Sequence, residues 1–234
     1  VGFIGASGGS TGTVVVDGGT WNNERYLHVG YDGDASLDII NGGLVTASAN
    51  YVGKNVGATG AVTIGTSSSL LITNGVYLGG SSGAGGSGRM EVNGGLLDVG
   101  GTVKLWSDGL LHVSSGQVIT ESLDNSEGGL LLLYGGTVTI DGGVLTDSGA
   151  VKINGAAGAA LELINGATGA VTGDFRVGYQ DGGQLSILSG SQADSDNGYI
   201  GIEPGSNGLV IVTNGQWDAA RRMDIGFSGT GALN

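Results

Sequence analysis

The sequence predicts an all-β protein. It reads as a single right-handed parallel β-helix (β-solenoid), continuous over residues 1–234. About nine coils are expected, each of about 23–26 residues with three short strands. Three observations predict it. A motif recurs about every 24 residues, apolar and polar residues alternate inside its copies, and 52 glycines punctuate them. A repeat of that length signals stacked units, none of which can bury its apolar side chains alone.

The period is carried by an apolar–any–apolar triplet followed by glycine. Clear copies are Leu27-His28-Val29-Gly30, Val76-Tyr77-Leu78-Gly79, Phe175-Arg176-Val177-Gly178 and Met223-Asp224-Ile225-Gly226. With looser copies, the closing glycines are Gly5, Gly30, Gly53, Gly79, Gly178, Gly201 and Gly226. Neighbouring copies follow one another at that period, and the long stretch from Gly79 to Gly178 reads as four periods. Inside that gap, Val103-Lys104-Leu105 ends in Trp106, Val151-Lys152-Ile153 ends in Asn154, and one coil near Leu130 has no clear match.

A second triplet follows each first one. Its nine copies run from Val14-Val15-Val16 and Leu37-Asp38-Ile39 through Met90-Glu91-Val92 and Leu161-Glu162-Leu163 to Leu209-Val210-Ile211. The outer two positions are apolar in every copy, and the middle one is polar in all but two, as a half-buried strand requires. These nine pairs are expected to line one internal column. Corners such as Asn41-Gly42-Gly43 and Asp141-Gly142-Gly143 follow, in residues that tolerate the positive φ of a sharp turn. A third short apolar pair completes the coil, with Trp21 and Trp217 in that place in their copies. Neither end carries a polar cap and the chain starts at Val1, so further coils are expected on both sides.

Composition narrows the alternatives. Collagen is excluded by the single proline, Pro204, and disorder by 39% hydrophobic against 12% charged residues. A net charge of −13 argues against nucleic acid and against anionic membrane as partners. The longest apolar run, residues 130–134, suits one buried strand, so no direct membrane insertion of this segment is expected. There is no cysteine, hence no disulfide or thiolate chemistry.

Met90-Glu91-Val92-Asn93-Gly94-Gly95 and Phe175-Arg176-Val177-Gly178 resemble the repeat shared by type V secretion (autotransporter) passengers and PEP-CTERM-associated proteins. The likeness covers nearly the whole chain and weakens between about residues 106 and 160. It implies a parallel β-helix displayed outside a Gram-negative bacterium, extracellular or on the cell surface. It implies no activity.

The residues themselves argue against catalysis. Asp38, Glu91 and Glu162 share the second-triplet position but lie two or three coils apart. That is about 10–15 Å, beyond the roughly 5–9.5 Å of paired glycosidase carboxylates. The acidic loops Asp32-Gly33-Asp34 and Asp194-Ser195-Asp196 lack calcium-loop spacing and read as corners, so no metal and no cofactor is expected. His28 and His112 sit in different triplets and should face different ways.

One candidate binding feature remains. The middle positions of the first triplet read His28, Tyr51, Tyr77, Lys104, Lys152, Arg176 and Tyr199, ending at Asp224, an aromatic and basic stripe in an acidic protein. Ordinary strand surface is the simpler account of it. The function expected is a non-enzymatic structural stalk or display rod, serving adhesion or surface assembly. The alternative is a glycan-binding module using the stripe, and behind that a polysaccharide-active enzyme. The partners these readings offer are polysaccharide or other surface proteins, copies of this chain included.

Overall fold

The computed structural model describes residues 1–155 and 158–234. Every described element is a β-strand, and every strand-to-strand pairing between coils is parallel. Each turn of the chain lays down three strands on three faces, and each strand pairs with its equivalents one turn above and below. Where corners are gentle the strand runs through them: Ser87–Leu105 and Gly109–Asn125 each cover all three faces of one coil.

The faces are defined by their inward residues. Face one stacks Ile4, Val29, Val52, Leu78 and Leu105. Face two stacks Val16, Ile39, Ile64, Val92, Val113, Leu133, Ile153, Val177, Ile200 and Ile225. Face three runs from Trp21 through Val45, Leu70, Leu97, Val118, Val138, Leu161, Leu185 and Val210 to Leu233. Most of these side chains are fully buried, so each leucine contributes roughly 1.5–3 kcal/mol by leaving water. Ten rungs at about 4.8 Å span about 43 Å.

The solenoid is as expected, but three details of the sequence reading are corrected. There are ten rungs on each face, not nine. The second triplets do not share one column. Val14 to Val113 lie on face two, whereas Val138, Ile140, Leu161, Leu163, Leu185 and Ile187 lie on face three. The first triplet shifts in the same sense, from face one to face two.

The cause is a set of short central coils. On face two, Val92, Val113, Leu133 and Ile153 are successive rungs, as are Val16, Ile39 and Ile64. The first series advances by only about 20 residues per turn, the second by about 24. The stretch between Gly79 and Gly178 therefore holds four turns, from Leu78 to Val171 on face one, and one further side to Val177. The coil near Leu130 that lacked a match is the face-two strand Leu130–Leu133. Stacking continues unbroken through the slip; only the assignment of motif to face changes.

The third correction is one of phase. Leu185 pairs with Val210 and Ile187 with Val212, so Val210 is fully buried while Leu209 and Ile211 lie on the outside. The run 209–212 is apolar throughout and has no alternation to reveal its inward members.

The slip leaves face one with smaller and more polar inward residues in the second half. Asn125 and Asp147 are paired across the rungs and buried, with Asn125 Nδ2 donating to Asp147 Oδ2 at 2.7 Å and Gly149 N–H donating to Oδ1 at 2.7 Å. Buried polar groups survive in such a column because they hydrogen-bond one another. The hydroxyl of Thr120, fully buried on face three, lies between the backbone carbonyls of Gly101 and Ser122 at 2.7 and 2.8 Å and donates its one proton there. Beside the small face-one residues Gly169 and Ala193, Phe175 fills the interior from face two, edge-on to Trp217 with ring centroids 6.0 Å apart.

Candidate functional site

The slip divides the expected stripe in two. His28, Tyr51, Tyr77 and Lys104 stack on face one, and the rungs that follow Lys104 there are Asp124, Thr146, Ala170 and Asp194. Lys152, Arg176, Tyr199 and Asp224 stack on face two, following the successive rungs of His112 and Leu132. The seven stripe residues and Asp224 therefore form two separate groups on two faces. Within each group the expected neighbours do meet, Tyr51 with Tyr77 and Lys152 with Arg176.

The face-one group is an aromatic ladder. Phe3 stacks on His28 with ring centroids 4.8 Å apart, His28 on Tyr51 at 5.0 Å and Tyr51 on Tyr77 at 4.8 Å, with interplanar angles of 16°, 22° and 11°. Ring spacing is therefore set by strand spacing. Tyr26 and Tyr31 close the sides with edge-on contacts, and Lys54 Nζ lies over the rings of Tyr31 and Tyr51. Lys104 ends the ladder, bonded to Asp124 at 2.8 Å and Ser126 at 3.0 Å. Burial pushes the Asp124 carboxyl up, but the hydrogen bonds from Lys104 and Ser126 prevail and hold it low. The faces of the inner rings are spent on one another, so they cannot stack against a sugar. This group is a zipper that fixes coil register.

His28 sits in that zipper 3% exposed, its Nδ1 without a hydrogen-bond partner. Burial, reinforced by the charge on Lys54, lowers its pKa from 6.5 to about 4. The unfolded chain thus binds the proton more tightly than the folded one. The neutral ring's contribution is complete above pH 6.5 and is lost as the pH falls toward 4. His28→Phe is expected to melt close to wild type at pH 7.5 and to gain about 2–3 kcal/mol over it near pH 4.5. Thermal melts across the range check this; a variant-minus-wild-type difference that ignores pH would exclude the neutral-histidine zipper.

The face-two group is open. Arg176 donates from Nη2 and Nε to Asp174 Oδ2 at 2.7 and 3.1 Å, and Asn197 holds the other oxygen at 2.8 Å. Burial raises Asp174, but the bonds from Asn197 and Arg176 outweigh it and keep the carboxylate ionised at lower pH than usual. Lys152 and Arg176, like charges on adjacent rungs, share the ring of Tyr179, which lies 5.5 Å from Lys152 Nζ and 5.8 Å from the guanidinium carbon of Arg176. That ring offsets their repulsion. Arg222 pairs with Asp224 at 2.7 Å and lies over Phe227. Two hollows of about 180 and 210 Å³ adjoin here, both bordered by Tyr179.

Tyr31, Lys54, Tyr179 and Phe227 were not picked out by the sequence reading. Each directly follows a closing glycine of positive φ: Gly30, Gly53, Gly178 and Gly226. The turn swings the next side chain back beside the outward strand residue, a position legible in the sequence once its geometry is known.

The remaining candidates separate. Asp38 and Glu91 lie two rungs apart on face two, while Glu162 is on face three, a correction to the shared position expected of them. Glu91 is engaged by Arg89 at 3.0 Å and faces His112 at 3.7 Å. His28 and His112 are on faces one and two. Asp32 accepts a hydrogen bond from Asn55 and Asp194 one from Gln192, and among the described residues no three His, Asp or Glu side chains gather as a metal site.

No protein-family model matches the chain, and no solved structure matches it. The chain is 28% identical to the uncharacterized lipoprotein YdeK of Escherichia coli (strain K12), over 99% of this chain. It spans 19% of that protein's length.

Proposed function

We propose that this chain is a segment of a structural stalk or display rod, without enzymatic activity, in a bacterial protein exposed at the cell envelope surface, where it serves adhesion or surface assembly. The observation that carries the reading is the continuity of the three inward columns over ten rungs. Even where the central coils shorten and the motif changes face, parallel pairing persists. Constancy of the stack over constancy of the repeat is what a load-transmitting rod needs, because each rung is held by its neighbours. Similarity to a protein described as a lipoprotein supports an envelope location. The resemblance to autotransporter passengers and PEP-CTERM-associated proteins supports display beyond it.

The test places an epitope at Gly83, which sits in an exposed loop with open space around it. An antibody that cannot cross the outer membrane should label intact cells making the full-length protein. Labelling only after the outer membrane is opened would overturn surface display. Release of reducing ends from polysaccharide by the purified chain would overturn the non-enzymatic reading.

A further inference from the structure

We infer that the open half of face two is a binding site for an acidic glycan, one bearing carboxylates on some of its sugars, centred on Lys152 and Tyr179. This goes beyond the rod reading and stands or falls separately from it. Four observations converge on the site.

The first is an available cation. Among the described residues, Lys152 has no carboxylate within salt-bridge distance and its side chain is exposed, whereas Arg176 and Arg222 are held by Asp174 and Asp224. The second is a presented ring. Tyr179 stands on a corner pinned from beneath by Asn154, itself 6% exposed, whose Oδ1 accepts the N–H groups of Gln180 at 2.7 Å and Asp181 at 2.8 Å. The corner that carries the ring is therefore held before any ligand arrives, which limits the ordering cost of binding.

The third is shape. The two hollows meet at Tyr179 and run along the rod from the Leu132 rung to the Asp224 rung. Four rung spacings make this a furrow of about 19 Å. It is bordered by exposed apolar side chains, Leu130 at 51% and Tyr134 at 49%. A long ligand with alternating apolar and polar edges can follow such a furrow over several rungs.

The fourth is the charge pattern. Three cations, Lys152, Arg176 and Arg222, alternate with two carboxylates, Asp174 and Asp224, on this face. A polyanion charged at every step, such as a nucleic acid, would meet both carboxylates. A glycan with spaced carboxylates can set one on Lys152 and lay C–H faces along Leu130, Tyr134 and Phe227. On face one, by contrast, the inner rings of the ladder stack on one another.

The test uses the intact chain and a fluorescein-labelled hyaluronan oligosaccharide, which bears a carboxylate on every second sugar, with neutral maltooligosaccharide and a poly-glutamate peptide of matching length as comparators, followed by fluorescence anisotropy. The hyaluronan oligosaccharide should bind at least about tenfold more tightly than the neutral oligomer. The preference should vanish near ~0.5 M salt, where exposed charges are screened. Lys152→Gln and Tyr179→Ala, each confirmed folded by its melting curve, should each weaken binding by about fivefold or more, while His28→Phe on face one leaves it unchanged. The inference is overturned if acidic and neutral oligomers bind alike, if neither binds, if poly-glutamate binds better, or if Lys152→Gln binds as wild type does.

Discussion

Leu163→Asp is expected to unfold the coils around it and leave the first coils of the rod standing. Leu163 is fully buried on face three between Ile140 and Ile187. A carboxylate there would lie in an apolar column with no partner, at a cost above about 4 kcal/mol. In a stacked protein that cost falls on the mutated rung and its neighbours, because stability is approximately a sum of rung and interface terms. Hydrogen exchange should show lost protection in the strands Thr137–Asp141, Ala160–Ile164 and Gly182–Leu188. Protection should persist around Val29 and Val52, which lie several rungs away near the start of the rod. A wild-type exchange pattern would exclude the inward assignment of Leu163. Uniform loss across the chain would show instead that the rod unfolds as one cooperative unit.

The same substitution applied at 209 and 210 tests the phase of the penultimate coil. Val210 is fully buried and Leu209 is not. Val210→Asp should therefore behave like Leu163→Asp, while Leu209→Asp changes stability little. The reverse result would restore the alternation that the sequence alone suggests.

How much of this was legible follows from which constraints repeat. The closing corners were, because αL geometry recurs at equivalent positions and glycine satisfies it at Gly30, Gly53 and Gly79 after face one and at Gly178, Gly201 and Gly226 after face two. Coil length was not, because parallel pairing fixes only the position of each strand, and a corner can shed residues without breaking a rung. The trace of the slip lies in the corner residues that depart from glycine, Trp106 and Asn154, neither of which takes positive φ. Trp106 instead offers its ring to Lys104 at 4.8 Å, and Asn154 caps the corner at 180–181. Inward polar residues were also hidden. No apolar alternation marks Asn125 and Asp147 as inward, and their mutual hydrogen bond explains them inside. The stripe was half legible for the same reason: composition identified its members, but the slip decides which of them meet.

Gly53→Ala is expected to cost several times more than Gly42→Ala, although both glycines have positive φ, 64° and 81°. Left-handed backbone penalises any L side chain by about 1–2 kcal/mol, so both variants carry that strain. They differ in what a Cβ would meet. At Gly42 it would enter open space. At Gly53 it would collide with the backbone carbonyl of Ser87 in the next coil, which cannot rotate away as a side chain would. The Gly53 amide donates to Val29 in the coil before at 2.9 Å, and its carbonyl accepts from Gly86 in the coil after at 3.1 Å. The corner is thus clamped from both sides, and relieving the clash means breaking a rung. A total of about 3–5 kcal/mol is expected for Gly53→Ala against about 1–2 kcal/mol for Gly42→Ala, read as the shift in denaturation midpoint. Equal costs would mean that backbone conformation alone selects the closing glycine. The expected gap would show that close approach between coils selects it, the same contact that fixes where each face ends.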